Sequence, residues 1–289
     1  MNAPVSYDRR RTPARSDLAA ECLRGKVDAP RYVEGRLWRI VHEVVGVRGS
    51  PAMDAGLDTQ AIFGERVRVY EDEDGWAWGQ FERDGYVGYF DATALAEPET
   101  PTHRVCVPRT FIYPGLSMKL PIVMALPMGA EVEIVSLRGD FAEAKNIGCI
   151  WAGHLAPFDV FESDFASVAE RFLHSPYLWG GKTSMGLDCS GLMQISLQAA
   201  GVSAPRDTDM QAAELGEAIA FDDSLSGLRR GDLVFWKGHV GVMRDERTLL
   251  HANGHHMMVA SEPLREARDR ILAKSFGAIT TIRRLAFNS

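Results

Sequence analysis

The chain has 289 residues, 46% hydrophobic and 25% charged, with a formal net charge of -7 at pH 7. This is ordinary globular usage with length for one to three domains, which excludes a disordered or fibrous chain. The acidic balance argues against a protein that tracks nucleic-acid phosphates, and no apolar run approaches the roughly 18 residues of a membrane span.

Residues 1–30 carry Arg9, Arg10, Arg11 and Arg15 and few large apolar groups. They read as an arm draped over the surface or partly disordered, with no apolar segment of a secretory signal, so a cytoplasmic protein is expected. Over 31–97 the segments 41–47, 66–70 and 76–81 are rich in β-branched and aromatic residues and are separated by Gly and Asp. Pro98-Glu-Thr-Pro101 marks a linker, and a second strand-rich stretch runs over 102–158. The two stretches share a pattern: Gly64-Glu-Arg-Val67-Arg-Val69 then Gly75-Trp-Ala77, against Gly129-Ala-Glu-Val132-Glu-Ile134 then Gly139-Asp-Phe-Ala142. It predicts two small β-barrels in tandem.

After Pro157 the period changes. Phe165, Val168, Ala169, Phe172 and Leu173 share one helical face, and Ser163 is the expected N-cap of a helix over 164–174. A second helix is expected over 189–200, stopped by Gly201, and a short third near Asp207. Strands follow at 232–236, 240–243 and 248–250 with turns at Lys237-Gly238 and 244–247, then a helix over 264–274 and a strand over 279–285. Helices ahead of an antiparallel sheet make 160–289 an α+β domain.

Cys22, Cys106, Cys149 and Cys189 are widely spaced without a CxxC, so neither a zinc ribbon nor a disulfide framework is indicated. The first three read as small buried hydrophobes. Cys189 differs because it directly follows Asp188, a favoured N-cap residue, and opens the second helix. Unpaired first-turn amides and the helix dipole favour an anion there, which lowers a thiol from about 8.5 towards roughly 3.5–7.5 and predicts a thiolate. Its own N–H can meet an oxyanion, and Ser190 and Gly191 are small enough to admit a substrate backbone.

The base must come from another element. His239 begins one strand and His251 ends the next, so a turn centred near Asp245 and Glu246 sets them opposite or within one residue of opposite. One imidazole would face the thiol while the other holds its second nitrogen, the logic of acyl transfer. A one-residue slip would put the rings on opposite faces. Taken singly, each of these residues is also accounted for as a packed first-turn or strand residue. Gly181-Lys-Thr183 imitates a phosphate loop, but Pro176 stands where its first Gly is needed. His251, His255 and His256 imitate a metal cluster, yet the turn at Asn253-Gly254 and the lack of a carboxylate among them argue against one.

Together these residues resemble the NlpC/p60 family of papain-like cell-wall peptidases over about residues 160–285. The motifs occur in the family's order: Tyr177-x-Trp-Gly-Gly, Asp188-Cys-Ser-Gly-Leu192, Pro205-Arg-Asp-Thr-Asp209, Gly231-Asp-Leu233, His239-Val-Gly241 and His251-Ala252. The resemblance implies Cys189 as nucleophile, His239 as base, His251 as the orienting residue and the Tyr177 hydroxyl as an oxyanion donor. It also implies a cleft lined by Trp179, Asp188, Ser190, Asp207 and Thr208, the last a Thr where Ser is more usual. Arg206 is either a contact for a substrate carboxylate or a structural ion pair.

The tandem barrels resemble bacterial SH3 (SH3b) domains, a layout similar to γ-D-glutamyl-L-diamino acid endopeptidases. That resemblance implies that Glu65 and Tyr86, or Tyr89 in place of Tyr86, meet the free amine of an N-terminal L-Ala. A blocked amine would then leave Glu65 buried and unpaired. The expected activity is hydrolysis of the γ-D-Glu–diamino acid amide in peptidoglycan-derived peptides reclaimed by the cell, through a thioester. No cofactor, metal, nucleic acid or membrane is implied, and diaminopimelate against Lys and the oligomeric state stay open. The alternatives are an amidase or endopeptidase acting on intact wall, and a non-catalytic peptidoglycan-binding protein.

Overall fold

In a computed structural model of the protein, residues 7–286 are described. Residues 1–6 of the expected arm and 287–289 of the expected catalytic domain lie outside the described residues. The chain forms two compact units, one running through Val105 and including Thr110–Phe158, the other joining Cys106–Arg109 to the chain from Asp159 onward. No helix among the described residues is long and apolar enough to cross a membrane.

The first unit holds both β-rich stretches. Seven strands order as Leu57–Ile62, Val44–Arg48, Val87–Asp91, Trp76–Phe81, Arg66–Glu73, Arg36–Ile40 and Leu95–Ala96. Ala61 and Ala94, near opposite ends of that order, pack in one core with Ile40, Val67, Phe81 and Phe90, so the sheet is rolled upon itself. Asp74 and Gly75 both take positive φ, which matches the hairpin twist between Arg66–Glu73 and Trp76–Phe81. The second stretch makes a five-stranded sheet and a three-stranded one around Val105, Ile112, Leu126, Val132, Ala142 and Ile150. The repeat read in the sequence has a structural counterpart, since Gly64 and Gly129 take φ of 85° and 82° at the same place in each pattern.

The described part of the arm packs within this unit. Leu18 and Ala20 are buried beside Tyr70, Trp78 and Val87, and Ala19–Ala20 pairs in parallel with Tyr32–Val33. Of the three cysteines expected to be buried, Cys149 is, while Cys22 is exposed and Cys106 intermediate.

Among its described residues the second unit has four α-helices, a six-stranded sheet and a two-stranded one that pairs Lys182–Thr183 with Gly186–Leu187. The helices are α1 (Phe165–Glu170), α2 (Cys189–Ala199), α3 (Thr208–Glu214) and α4 (Leu264–Lys274). The strands of the larger sheet are β1 (Glu217–Ala218), β2 (Leu233–Trp236), β3 (His239–Met243), β4 (Thr248–Asn253), β5 (Met258–Pro263) and β6 (Thr281–Arg284), ordered β1-β6-β2-β3-β4-β5. Leu264, Ala267 and Ile271 form the buried stripe of α4, which packs with Val234, Trp236, Met243 and Leu249. Alternation along β3 and β4 gives His239 and His251 the same facing as Met243 and Leu249.

Three local expectations are corrected. Asp164, not Ser163, caps α1, accepting from Ala166 N at 2.9 Å while Arg230 Nε donates to it at 2.8 Å. The helix stops at Glu170 rather than reaching His174, because His174 turns to positive φ and donates its N–H to Val259 O at 2.9 Å, joining the chain to β5. β5 itself was not expected, and it brings a further charged residue to the histidines.

Candidate active site

The start of α2 is built around one carboxylate. Asp188 caps the helix by accepting from Gly191 N at 2.7 Å, and its other oxygen accepts from Gly180 N at 2.8 Å. Arg206, 1% exposed, donates to the two oxygens at 3.0 and 2.7 Å and to Ser190 Oγ at 2.8 Å. With Ser190 Oγ also donating at 3.2 Å, five hydrogen bonds converge on Asp188, which fills its roughly four lone-pair sites. Asp188 and Ser190, expected to line the cleft, therefore face inward and hold the helix start. The arginine is a buried structural partner, the second of the two roles left open for it.

Cys189 is buried at the first position of α2. Its thiol lies 3.9 Å from Thr208 Oγ1, at the first turn of α3, and the backbone N–H of Val240, the residue after His239, is among the groups that favour its ionised form. A hydrogen bond to the His239 ring is not among these contacts. The expected thiolate is corrected: burial, and then the Asp188 charge, push the thiol up to about 11, outweighing the Val240 amide, Thr208 and Arg206. Tyr177 is held in its protonated form, first by burial and then by the proximity of Cys189 and Asp188. Trp179 is exposed, and Asp207 occupies the N-cap position of α3 without a side-chain capping bond.

The two histidines do meet. Val242 lies opposite Leu250 and Met243 opposite Leu249. Continuing that register puts Gly241 opposite His251 and sets His239 two residues further on, one step beyond the expected offset. The cause is the turn, where Asp245 Oδ1 accepts from Arg247 N and Thr248 N, both at 2.8 Å, and centres it on Glu246. An offset of two keeps both rings on one face, and His239 Nε2 lies 2.8 Å from His251 Nδ1. Gly241 leaves the room for this, since a Cβ there would sit 2.8 Å from Leu249 and 3.1 Å from His251. Phe276 stacks on His239 at 5.2 Å and 7°, and Trp236 flanks it at 5.6 Å. Burial pushes both histidines below the ordinary imidazole range, His239 well below.

Sequence reasoning missed Glu262 on β5 and Arg270 on α4. Glu262 Oε1 lies 2.7 Å from His251 Nε2, and Arg270 donates to both Glu262 oxygens at 2.5 Å. The Asn253-Gly254 turn was the available signal, because a hairpin there implies a return strand bearing Glu262. The histidine cluster thus does include a carboxylate: ligand atoms of His251, His256 and Glu262 fall within 4.8 Å of one another. Arg270 already supplies the positive charge at that carboxylate, which disfavours a metal ion beside it.

In the first unit, Glu65 is 2% exposed, accepts from Ile62 N at 3.0 Å and pairs with Arg83 at 3.2 Å. Arg83 also binds Glu131 of the second barrel, and a Cβ at Gly64 would sit 2.3 Å from Glu131 O. Glu65 thus belongs to the junction of the barrels, and the expectation that a blocked amine leaves it unpaired is corrected by Arg83. Tyr86 is buried and lines a cavity of about 480 Å³ together with Arg10, Arg15, Asp58, Trp78 and Tyr89.

Comparison with known proteins agrees with this architecture. Residues 47–95 match the model described as the bacterial dipeptidyl-peptidase SH3 domain, and residues 174–273 match the NlpC/P60 family. A γ-D-glutamyl-L-lysine dipeptidyl-peptidase of Bacillus subtilis is 29% identical over 226 residues, 69% of this chain and 73% of the relative. A probable endopeptidase of Corynebacterium glutamicum is 38% identical over 187 residues, 61% of this chain and 82% of the relative. The crystal structure of an NlpC/P60 family protein from Bacillus cereus shares the fold, with a TM-score of 0.70 at 18% identity over 86% of this chain and 99% of that one.

Proposed function

Because the chain belongs to the NlpC/P60 family and carries a bacterial SH3 domain ahead of that fold, we propose that it is a cysteine peptidase that hydrolyses the γ-D-Glu–diamino acid amide of peptidoglycan stem peptides. The observation that carries this reading is the Cys189 thiol at a helix start, 3.9 Å from Thr208 Oγ1, together with a His239 ring held by His251. On substrate binding the thiol turns to His239, which takes its proton as sulfur attacks the amide carbon. The Cys189 N–H and the protonated Tyr177 phenol donate to the oxyanion, each such donor being worth about 10²–10³ in rate. His239 then protonates the departing amine, leaving a thioester on Cys189. Water, deprotonated by His239, attacks the thioester, releases the γ-carboxylate and restores the thiol. Trp179, Asp207 and Thr208 are the residues assigned to the cleft lining.

The name of the Bacillus subtilis relative supports both the bond and Lys as an acceptable third residue. Releasing a dipeptide requires a site that measures two residues from a free amine. We assign recognition of that amine to the first barrel, with Tyr86, or Tyr89 in its place, as the residue that the resemblance implies and Glu65 held by Arg83, which suits work on released peptides reclaimed inside the cell. The test uses purified protein with L-Ala-γ-D-Glu-Lys, its diaminopimelate counterpart and their N-acetylated forms, with products read by mass spectrometry. Cleavage of the free tripeptides and its abolition by Cys189→Ala are expected. Equal cleavage of the acetylated forms would overturn the free-amine selection, and digestion of whole sacculi would favour a wall endopeptidase.

A further inference from the structure

The histidine pair leaves open which ring nitrogens carry hydrogen, and the residues behind His251 decide it. Glu262 Oε1 lies 2.7 Å from His251 Nε2, and Arg270 donates at 2.5 Å to both carboxylate oxygens. Those partners hold Glu262 ionised, with its carboxyl down at about 2, so it can only accept. The hydrogen of that contact therefore belongs to His251 Nε2. His251 is buried and neutral, so its Nδ1 bears a lone pair. The nitrogen 2.8 Å from that lone pair, His239 Nε2, must be the donor. The remaining His239 nitrogen, Nδ1, is then left with its lone pair.

We infer that Glu262, clamped by Arg270, is a positioning residue that fixes the tautomers of His251 and His239 and so makes His239 Nδ1 the nitrogen that takes the Cys189 proton. Glu262 touches neither the thiol nor substrate; it acts through two rings. As His239 gains a proton in the reaction, its Nε2–H is already directed at His251, which is polarised by the carboxylate behind it. A Gln at this position has one acceptor where His251 and Arg270 together require two. Its amide would donate either towards Arg270 or towards His251 Nε2, and the second arrangement inverts both tautomers.

This inference rests on the proposed function only in taking Cys189 and His239 as the reacting pair, and it can be tested without a substrate. Two-bond proton–nitrogen correlation spectra of the wild-type protein should show His251 and His239 both protonated at Nε2. In Glu262→Gln, His251 should move wholly or partly to the Nδ1–H form. Turnover of the free tripeptide should fall about 10²-fold or more in kcat, the scale of lost tautomer control in acyl-transfer triads, with KM changed less than about twofold. A wild-type His251 protonated at Nδ1 would overturn the inference even if the variant fails to fold. Unchanged tautomers with unchanged kcat in a folded Glu262→Gln would overturn it as well. Absence of tripeptide cleavage by the wild type would count against the proposed substrate and leave the spectra to decide the tautomers.

Discussion

Cys189 and His239 both lie where burial disfavours charge, so the resting pair is a thiol and an imidazole. With the thiol pushed up to about 11, the protonated form dominates at neutral pH. Alkylation of Cys189 by iodoacetamide should therefore speed up roughly tenfold per pH unit from pH 6 to 10. A rate plateau between pH 5 and 8 would instead reveal a thiolate–imidazolium pair. The two shifted acids also set opposite stability slopes. Cys189 holds its proton more tightly folded than unfolded, so stability is lost as pH rises from about 8.5 towards 11. Glu262, lowered to about 2, contributes stability above about 4.3 that is lost as pH falls towards 2. Urea midpoints measured across pH should show both losses in the wild type and a weaker acid loss in Glu262→Gln.

At the scale of elements, the start of α2 depends on the Asp188–Arg206 pair, both members buried and mutually satisfied. Arg206→Met would leave a buried carboxylate without its cation and should cost about 3–5 kcal/mol. Arg206→Met with Asp188→Asn should cost less than the two changes summed, as double-mutant unfolding curves would reveal. Capping chemistry is local, which is why Asp188 and the extent of α2 were legible from neighbouring residues alone. The histidine hairpin was legible in kind but not in register, because the side chain of Asp245 decides where the turn is centred. Asp164 displaced the expected Ser163 cap because Arg230, 66 positions away in sequence, binds it. Glu262 stayed out of view for the same reason. Its meaning depends on a strand pairing and on Arg270 from the following helix, neither of which leaves a mark at position 262.

Each of the two units has its own core, one around Ile40, Val67 and Phe90, the other around Val234, Trp236 and Ile271. Chains with separate cores commonly unfold in more than one step, so calorimetry should resolve two transitions. The variants that assign them follow from the packing inside each unit. Gly64 takes φ of 85°, and a Cβ there would sit 2.3 Å from the Glu131 backbone carbonyl across the barrel junction. Gly64→Ala should thus lower the first unit's transition, by roughly 2 kcal/mol for the left-handed backbone before the clash is counted. Arg206→Met should lower the other and leave the first where it is. The chain passes between the units three times, at Val105, Arg109 and Phe158, which raises the alternative that they melt together. A single transition moved equally by both variants would establish that the units fold as one cooperative body. Two transitions that respond separately would mean that damage to the barrels can be told from damage to the catalytic fold.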